Sequence, residues 1–325
     1  MTRPFRFLAH LLFALTVLAG AGWSGMALWL HLEGPARIAA LAALAVALCL
    51  AFAARLRQRR LGWAVLAASA LAVAGWYMTI TPSQDRDWAV DVSRGVKARV
   101  AGDLVTLTDL RDFDWRSPDD ATHRWTERTV DLAQLETVDM ITSVWDNPDI
   151  AHLLVSFGFA DGEHVVFSVE IRREADEAFN EIGGFFRQFE LVLIGATEED
   201  IVKLRTNYRK EQVRLFPVAL SAEHRRALFM AYVELAQQLE AQPRFYNTLL
   251  ANCTTVVYGL AQALKADLPI DRRLILSARL PEYLDSLGVL GGNGSLEERR
   301  AAALITDKAQ AAGDDADYSA AIRAD

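Results

Sequence analysis

Three apolar runs at the N-terminus limit what this chain can fold into more than any other feature. Residues 7–31, 38–54 and 61–80 (FLAHLLFALTVLAGAGWSGMALWLH, IAALAALAVALCLAFAA and LGWAVLAASALAVAGWYMTI) carry almost no charge. Each is close to the roughly 20 residues a helix needs to cross a bilayer, the second being the shortest. A cleaved signal peptide accounts poorly for the first run, because two more follow within a few residues. The spacing predicts a membrane anchor over residues 1–83 with three transmembrane helices and the lipid bilayer as its partner. Arg3 and Arg6 precede the first run, and Arg55, Arg57, Arg59 and Arg60 join the second to the third. Positive residues favour the cytoplasmic side. The N-terminus is therefore expected in the cytoplasm, and everything after about Thr81 on the outer face. The runs hold no carboxylate or lysine, which argues against a transport path through them.

Charge divides the chain at the same place. The first 80 residues hold 7 of the 34 basic and 1 of the 42 acidic residues, leaving an outer part with a net charge of −14. That balance argues against nucleic acid as a partner. Periodicity in the outer part favours strands early and helices late, an α+β class with an antiparallel sheet and packed helices. The clearest pair is IAHLLVSFGF and HVVFSVEIRRE, joined through Asp161-Gly162, a strong hairpin signal. SAEHRRALFMAYVELAQQLEA and NCTTVVYGLAQALKA read as helices. Residues 84–308 are expected as the outer domain and 309–325 as a disordered tail. No metal, nucleotide or phosphate motif is present, so no cofactor is implied.

Cys253 is the one cysteine outside the apolar runs. It has no partner for an internal disulfide, so it is either packed away or used. Asn252 is a good N-cap. Capping would make Cys253 the first residue of its helix, where the positive end of the dipole stabilises a thiolate. Thr254 and Thr255 add hydroxyls beside it. The base would be a histidine, and the outer part offers His123, His152, His164 and His224. His152 opens the first hairpin strand and His164 the second. A two-residue turn would set Ile171 opposite His152; a three-residue turn with a bulge would set Glu170 there, able to orient the imidazole. Arg172 offers a clamp for a substrate carboxylate or phosphate, or an ordinary ion pair. Trp145 is one of three tryptophans able to line a groove.

The runs AHLLVSFGFADGEHVVFSVEIRRE, FRQFELVLI, LRTN and PRFYNTLLANCTT resemble the bacterial Lnb N-terminal periplasmic domain family, from about Trp88 to about Leu290. That resemblance implies a periplasmic domain behind helices in the bacterial inner membrane, and no activity. A more distant similarity is to permuted papain-like domains of the NlpC and lecithin-retinol acyltransferase type, in which the histidine strand precedes an Asn-Cys helix. It implies Cys253 as nucleophile, His152 as base, and Glu170 or His164 as the polar third residue. Thr254-Thr255 departs from the charged or aromatic residue and histidine usual after Asn-Cys there. The expected function is a membrane-anchored cysteine hydrolase or acyltransferase acting on an amide or ester of the cell envelope. The competing expectation is a binding or assembly module with a structural cysteine.

Overall fold

The computed structural model describes residues 3–178, 180, 182–262, 264–312 and 317–324. They divide into two units, Met1–Pro82 with Asn180–Gln188, and Ser83–Phe179 with Phe189–Asp325.

In the first unit the apolar runs form α1 (Arg3–His31), α2 (Gly34–Arg57) and α3 (Arg59–Tyr77). Phe13, Val17 and Ala51 are buried where they pack on one another, with Val65 and Leu66 against them. A Cβ at Gly62 would lie 2.8 Å from Arg55 Cα. The close approach of α3 to α2 therefore requires glycine there. Arg55 is buried, but it donates to the Ala9 carbonyl at 2.8 Å and lies over the Phe13 ring. Among the described residues, only α1 and α2 are long and apolar enough to cross a membrane, which corrects the expectation of three such helices. Arg59 and Arg60 occupy the first turn of α3, and the helix stops at Tyr77 rather than residue 80. The apolar stretch left from Leu61 is about 25 Å long at 1.5 Å per residue, short of a hydrocarbon core of about 30 Å.

The second unit is built on one large sheet. Its strands are β1 (Lys97–Ala101), β2 (Leu104–Arg111), β5 (Trp125–Asp131), β6 (Leu135–Val144), β7 (His152–Phe159), β8 (His164–Arg172), β9 (Glu190–Ala196) and β10 (Gln212–Pro217), while β3 (Asp114–Ser117) and β4 (Asp120–Thr122) form a separate ribbon. The order is β1-β2-β9-β8-β7-β6-β10, with β5 also paired to β2. The sheet is mixed rather than purely antiparallel, because Arg111 of β2 meets Ala196 of β9 in parallel. The helices that follow are α4 (Glu198–Lys203), α5 (Ala222–Ala241), α6 (Cys253–Ala261), α7 (Leu280–Ser286), α8 (Leu296–Ala302), α9 (Thr306–Ala311) and α10 (Tyr318–Ala321).

Helices cover both faces, so both sets of alternating side chains in the central strands are apolar. Leu191 and Leu193 of β9 join Phe229, Val233 and Leu235 of α5 in one core. Val192 and Ile194 join Ile201, Ala309 and Tyr318 in the other. Phe167 stacks on Tyr232 at 4.9 Å. Residues 317–324 are not the disordered tail expected from their polarity. Tyr318 and Ile322, one helical turn apart, are buried, and Arg323 pairs with Asp139 and Glu198. Residues 313–316 and 325 of that expected tail lie outside the described residues.

The β7–β8 hairpin positions the histidines. Its turn holds three residues, closed by Phe159 N–H to the Glu163 carbonyl at 2.9 Å, with Gly162 at φ +86°. Leu154 then pairs with Ser168, and the same register carried two pairs further sets Glu170 opposite His152.

Candidate active site

The site begins with a cap. Asn252 is extended, and its Oδ1 accepts the Thr254 N–H at 2.9 Å and the Thr255 N–H at 2.8 Å. Thr255 Oγ1 accepts the Asn252 N–H in return, at 3.0 Å. This reciprocal box starts α6 at Cys253. Asn252 Nδ2 donates to the Thr248 carbonyl. The Asn252 side chain is thus spent on holding loop and helix together, and its place in the site is positional.

His152 Nε2 lies 2.8 Å from Ser168 Oγ and 3.0 Å from Glu170 Oε1. Ser168 gives its own proton to Glu170 Oε1 at 2.7 Å, so its oxygen accepts from Nε2–H. That tautomer leaves Nδ1 as the free nitrogen. The Cys253 thiol lies against the ring, and His152 and the Leu153 backbone both favour its ionised form. Behind Glu170, Arg205 Nη2 donates to Oε1 at 3.1 Å while Nη1 holds the Ile201 carbonyl. The polar chain runs Cys253–His152–Glu170–Arg205.

Electrostatics follow from that order. Burial alone would push the His152 imidazole down, but the Glu170 carboxylate and the hydrogen bonds to Cys253 and Glu170 hold it up at about 9. Burial would raise the Cys253 thiol, yet the contact with His152 overrides it and brings the thiol below its ordinary value. Glu170, against its own burial, is held far below the usual carboxylate range by His152, Arg205 and Ser168. The three shifts agree in favouring a thiolate–imidazolium pair over a neutral thiol and imidazole.

Other expected residues fall elsewhere. His164 sits at the opposite end of the hairpin, with Nδ1 3.0 Å from the Gly162 carbonyl, and cannot serve as the third residue; a hairpin separates its two strand openings. Arg172 is buried, and its guanidinium is spent on the carbonyls of Val92 and Ser93 and on Gln84. It lines a separate cleft of about 480 Å³ and is not free to clamp a substrate at Cys253. Thr254 is buried, with Oγ1 3.9 Å from the sulfur. Trp145 is exposed just beyond Ser143, the β6 partner of His152.

Four residues were not singled out from the sequence. Arg205 lies in the run LRTN, on a π-helical turn. Ser168 lies in SVEIRRE. Burial pushes the hydroxyls of Tyr232 and Tyr246 well above the usual tyrosine value, and the proximity of Cys253 adds to both. The runs FYNTL and LRTN were the available signal, but they carried no spatial information.

Asp139, His164 and Glu198 place ligand atoms within 4.8 Å of one another. Arg323 already donates to Asp139 Oδ2 and to both Glu198 oxygens, each at 2.7 Å. The guanidinium takes the place a cation would need.

Residues 121–278 match the model of the Lnb N-terminal periplasmic domain. That segment of the chain is a domain of the Lnb N-terminal periplasmic type. The matched segment contains His152, Glu170, Arg205 and Cys253, and it ends just after Ser277, whose Oγ pins the Ala151 backbone beside His152. No curated protein and no solved structure matches the chain. The family match together with α1 and α2, both long and apolar enough to cross a membrane, points to a periplasmic domain on a membrane anchor.

Proposed function

We propose that the Lnb domain is a thiol hydrolase or acyltransferase acting on an amide or ester of the cell envelope. The observation that carries this reading is the Cys253–His152–Glu170 chain, built at a helix N-terminus with its thiol lowered and its imidazole raised. A packing cysteine needs none of these features. The order of histidine strand and Asn-Cys helix supports a likeness to permuted papain-like domains.

In this mechanism the Cys253 thiolate attacks the acyl carbon and a carbon–sulfur bond forms. The carbon–oxygen or carbon–nitrogen bond to the leaving group then breaks, and the imidazolium of His152 gives that group its proton. In hydrolysis, water attacks the thioester, His152 takes the proton, and the acid leaves. Glu170 fixes the ring and offsets its charge, and Arg205 keeps Glu170 ionised. Asn252 already holds the Thr254 and Thr255 N–H groups, whereas the Cys253 N–H has no acceptor among the described residues. That group is the donor left for the oxyanion.

The reading is tested by the rate of Cys253 alkylation with iodoacetamide as a function of pH, followed by peptide mass spectrometry so that Cys49 is scored separately. The expected profile is high and nearly flat across neutral pH, falling in acid. A rate that climbs through pH 8 to 9 like a free thiol would assign Cys253 to packing and the domain to binding. Arg3 and Arg6 favour a cytoplasmic N-terminus, whereas two crossings by α1 and α2 put the N-terminus on the same side of the membrane as the chain that follows them. A reporter fused to the N-terminus distinguishes the cytoplasmic side from the shared side that α1 and α2 alone would give.

A further inference from the structure

The segment between β8 and β9 keeps company with the apolar helices: Asn180–Gln188 belongs to the same compact unit as Met1–Pro82. Its contacts there are aromatic. The Phe186 ring lies 5.8 Å from Trp23 of α1, and Trp23 lies 4.9 Å from Tyr77 at the end of α3. The Arg187 guanidinium lies over the Tyr77 ring at 4.8 Å, and His31 Nε2 donates to the Phe186 carbonyl at 2.6 Å.

These contacts fix a level along the helices. Trp23 stands about two helical turns before the end of α1 and about 25 Å along it from Arg6, at 1.5 Å per residue. Phe186 therefore meets α1 inside its apolar run, at a depth that a hydrocarbon core of about 30 Å reaches. Trp29, Trp76 and Tyr77 gather at the same end, as aromatic side chains do where a membrane meets water.

The loop suits that level. Asn180 Oδ1 accepts the Gly183 N–H, and the N–H groups of Phe185, Phe186 and Gln188 go to the carbonyls of Ile182 and Gly183. Asn180 Nδ2 donates to Gln188 Oε1 at 3.0 Å. Irregular backbone close to lipid needs this kind of closure. Gly183 and Gly184 are buried in the turn, whereas Ile182 is 49% and Phe185 44% exposed. Two large apolar side chains left uncovered beside an aromatic belt mark a contact with an apolar phase.

We propose that residues 180–188 form a membrane-interface loop, with Ile182 and Phe185 set among the phospholipids of the leaflet on the periplasmic side. The loop gives the Lnb domain an attachment to the bilayer besides its N-terminal helices. The proposal rests on α1 and α2 spanning the membrane and is independent of the chemistry at Cys253.

The test places nitroxide labels on the full chain in phospholipid nanodiscs, with Cys49→Ser and Cys253→Ser removing the native thiols. Labels at Ile182→Cys and Phe185→Cys are compared with Leu15→Cys, at an exposed position of α1, and with Asp161→Cys in the hairpin turn. Oxygen, which concentrates in lipid, should relax both loop labels at least about threefold more than a nickel chelate does, as at Leu15→Cys, with the order reversed at Asp161→Cys. Loop labels that behave as Asp161→Cys while Leu15→Cys lies in lipid overturn the loop contact and leave the anchor standing. Loop labels shielded from both reagents show a protein face, such as a second copy of the chain, and also overturn it. A water-like label at Leu15→Cys removes the anchor and the loop contact together. A second measurement needs no substitution: the wild-type chain is irradiated with phosphatidylcholine bearing a diazirine near the glycerol end of its acyl chain. Label is expected on the tryptic peptide of residues 174–187. Its absence there, with α1 labelled, overturns the proposal even if the cysteine variants do not fold.

Discussion

At one end of the β7–β8 hairpin His152 meets Glu170 and Arg205; at the other, His164 lies beside Glu198, Asp139 and Arg323. The same kinds of side chain serve opposite ends. At the His164 end a single guanidinium is shared by two carboxylates, and Ser156 donates to Glu198 as well. The cluster is closed on itself and fastens the last helix to the sheet. At the His152 end one carboxylate serves both imidazole and guanidinium, and the ring also interacts with a thiol. A histidine beside a carboxylate is thus not enough to mark a site. What else the ring meets decides it.

The comparison breaks if both ends respond alike to substitution. Cys253→Ser should reduce turnover of any accepted ester by about 10³-fold or more, with the melting temperature nearly unchanged. Arg323→Ala should do the reverse. It leaves Asp139 and Glu198 buried side by side without their counter-charge, a loss of about 3 kcal/mol by thermal or urea unfolding, while the alkylation rate of Cys253 stays within about twofold. A large fall in that rate would mean that the two ends are coupled through the hairpin.

Glu170→Gln is smaller in stability and sharper in chemistry. The amide keeps the shape but removes the charge that holds His152 at about 9. Alkylation at pH 7 should fall about tenfold. A pH signature follows. A histidine whose folded value lies above its unfolded value of about 6.5 stabilises the fold fully below that unfolded value and ceases to do so as pH rises through about 9. The lowered Cys253 thiol acts in the opposite sense up to its unfolded value of about 8.5, so the effect is read in Cys253→Ser, which should lose stability as pH rises from about 6.5 towards 9. That alkaline loss should be largely absent when Glu170→Gln is added to Cys253→Ser, and unfolding midpoints taken across the range would show it.

Parts of this difference were readable from residues alone. The Asn-Cys helix start, the hairpin and the candidate His152–Glu170 pairing all come from local rules of capping and turn geometry. Whether Ile171 or Glu170 faced His152 depended on turn length, and Asp161-Gly162 fits both lengths; the three-residue turn closed by Phe159 and Glu163 decided it. Arg205 escaped notice because a π-helical turn aims it, and helical periodicity does not foresee one. Arg323 sits in a polar tail whose only apolar cues are Tyr318 and Ile322. It meets Asp139 across 184 residues of sequence, a separation no local pattern bridges. The third membrane helix was overcounted because its apolar run was read without the two arginines that take its first turn.

The smallest effects separate position from charge at Asn252. Asn252→Ala removes the acceptor for the Thr254 and Thr255 N–H groups and should cost about 1 kcal/mol of stability. The thiol stays at the same helix end, so alkylation at pH 7 should fall less than about threefold. Asn252→Asp keeps the cap and suits the helix dipole but gives up the Nδ2 donor to the Thr248 carbonyl, so it should cost less stability than Asn252→Ala, about 0.5 kcal/mol. It places a carboxylate beside the developing thiolate, however, and like charges oppose each other at short range. Alkylation should then fall about five- to tenfold, with its acid limb moved to higher pH. Opposite rankings of the two variants in stability and in reactivity would show that the cap positions a thiolate. If both variants lowered stability and reactivity in proportion, Asn252 would be a packing residue, and the His152 end would differ from the His164 end only in carrying a sulfur atom.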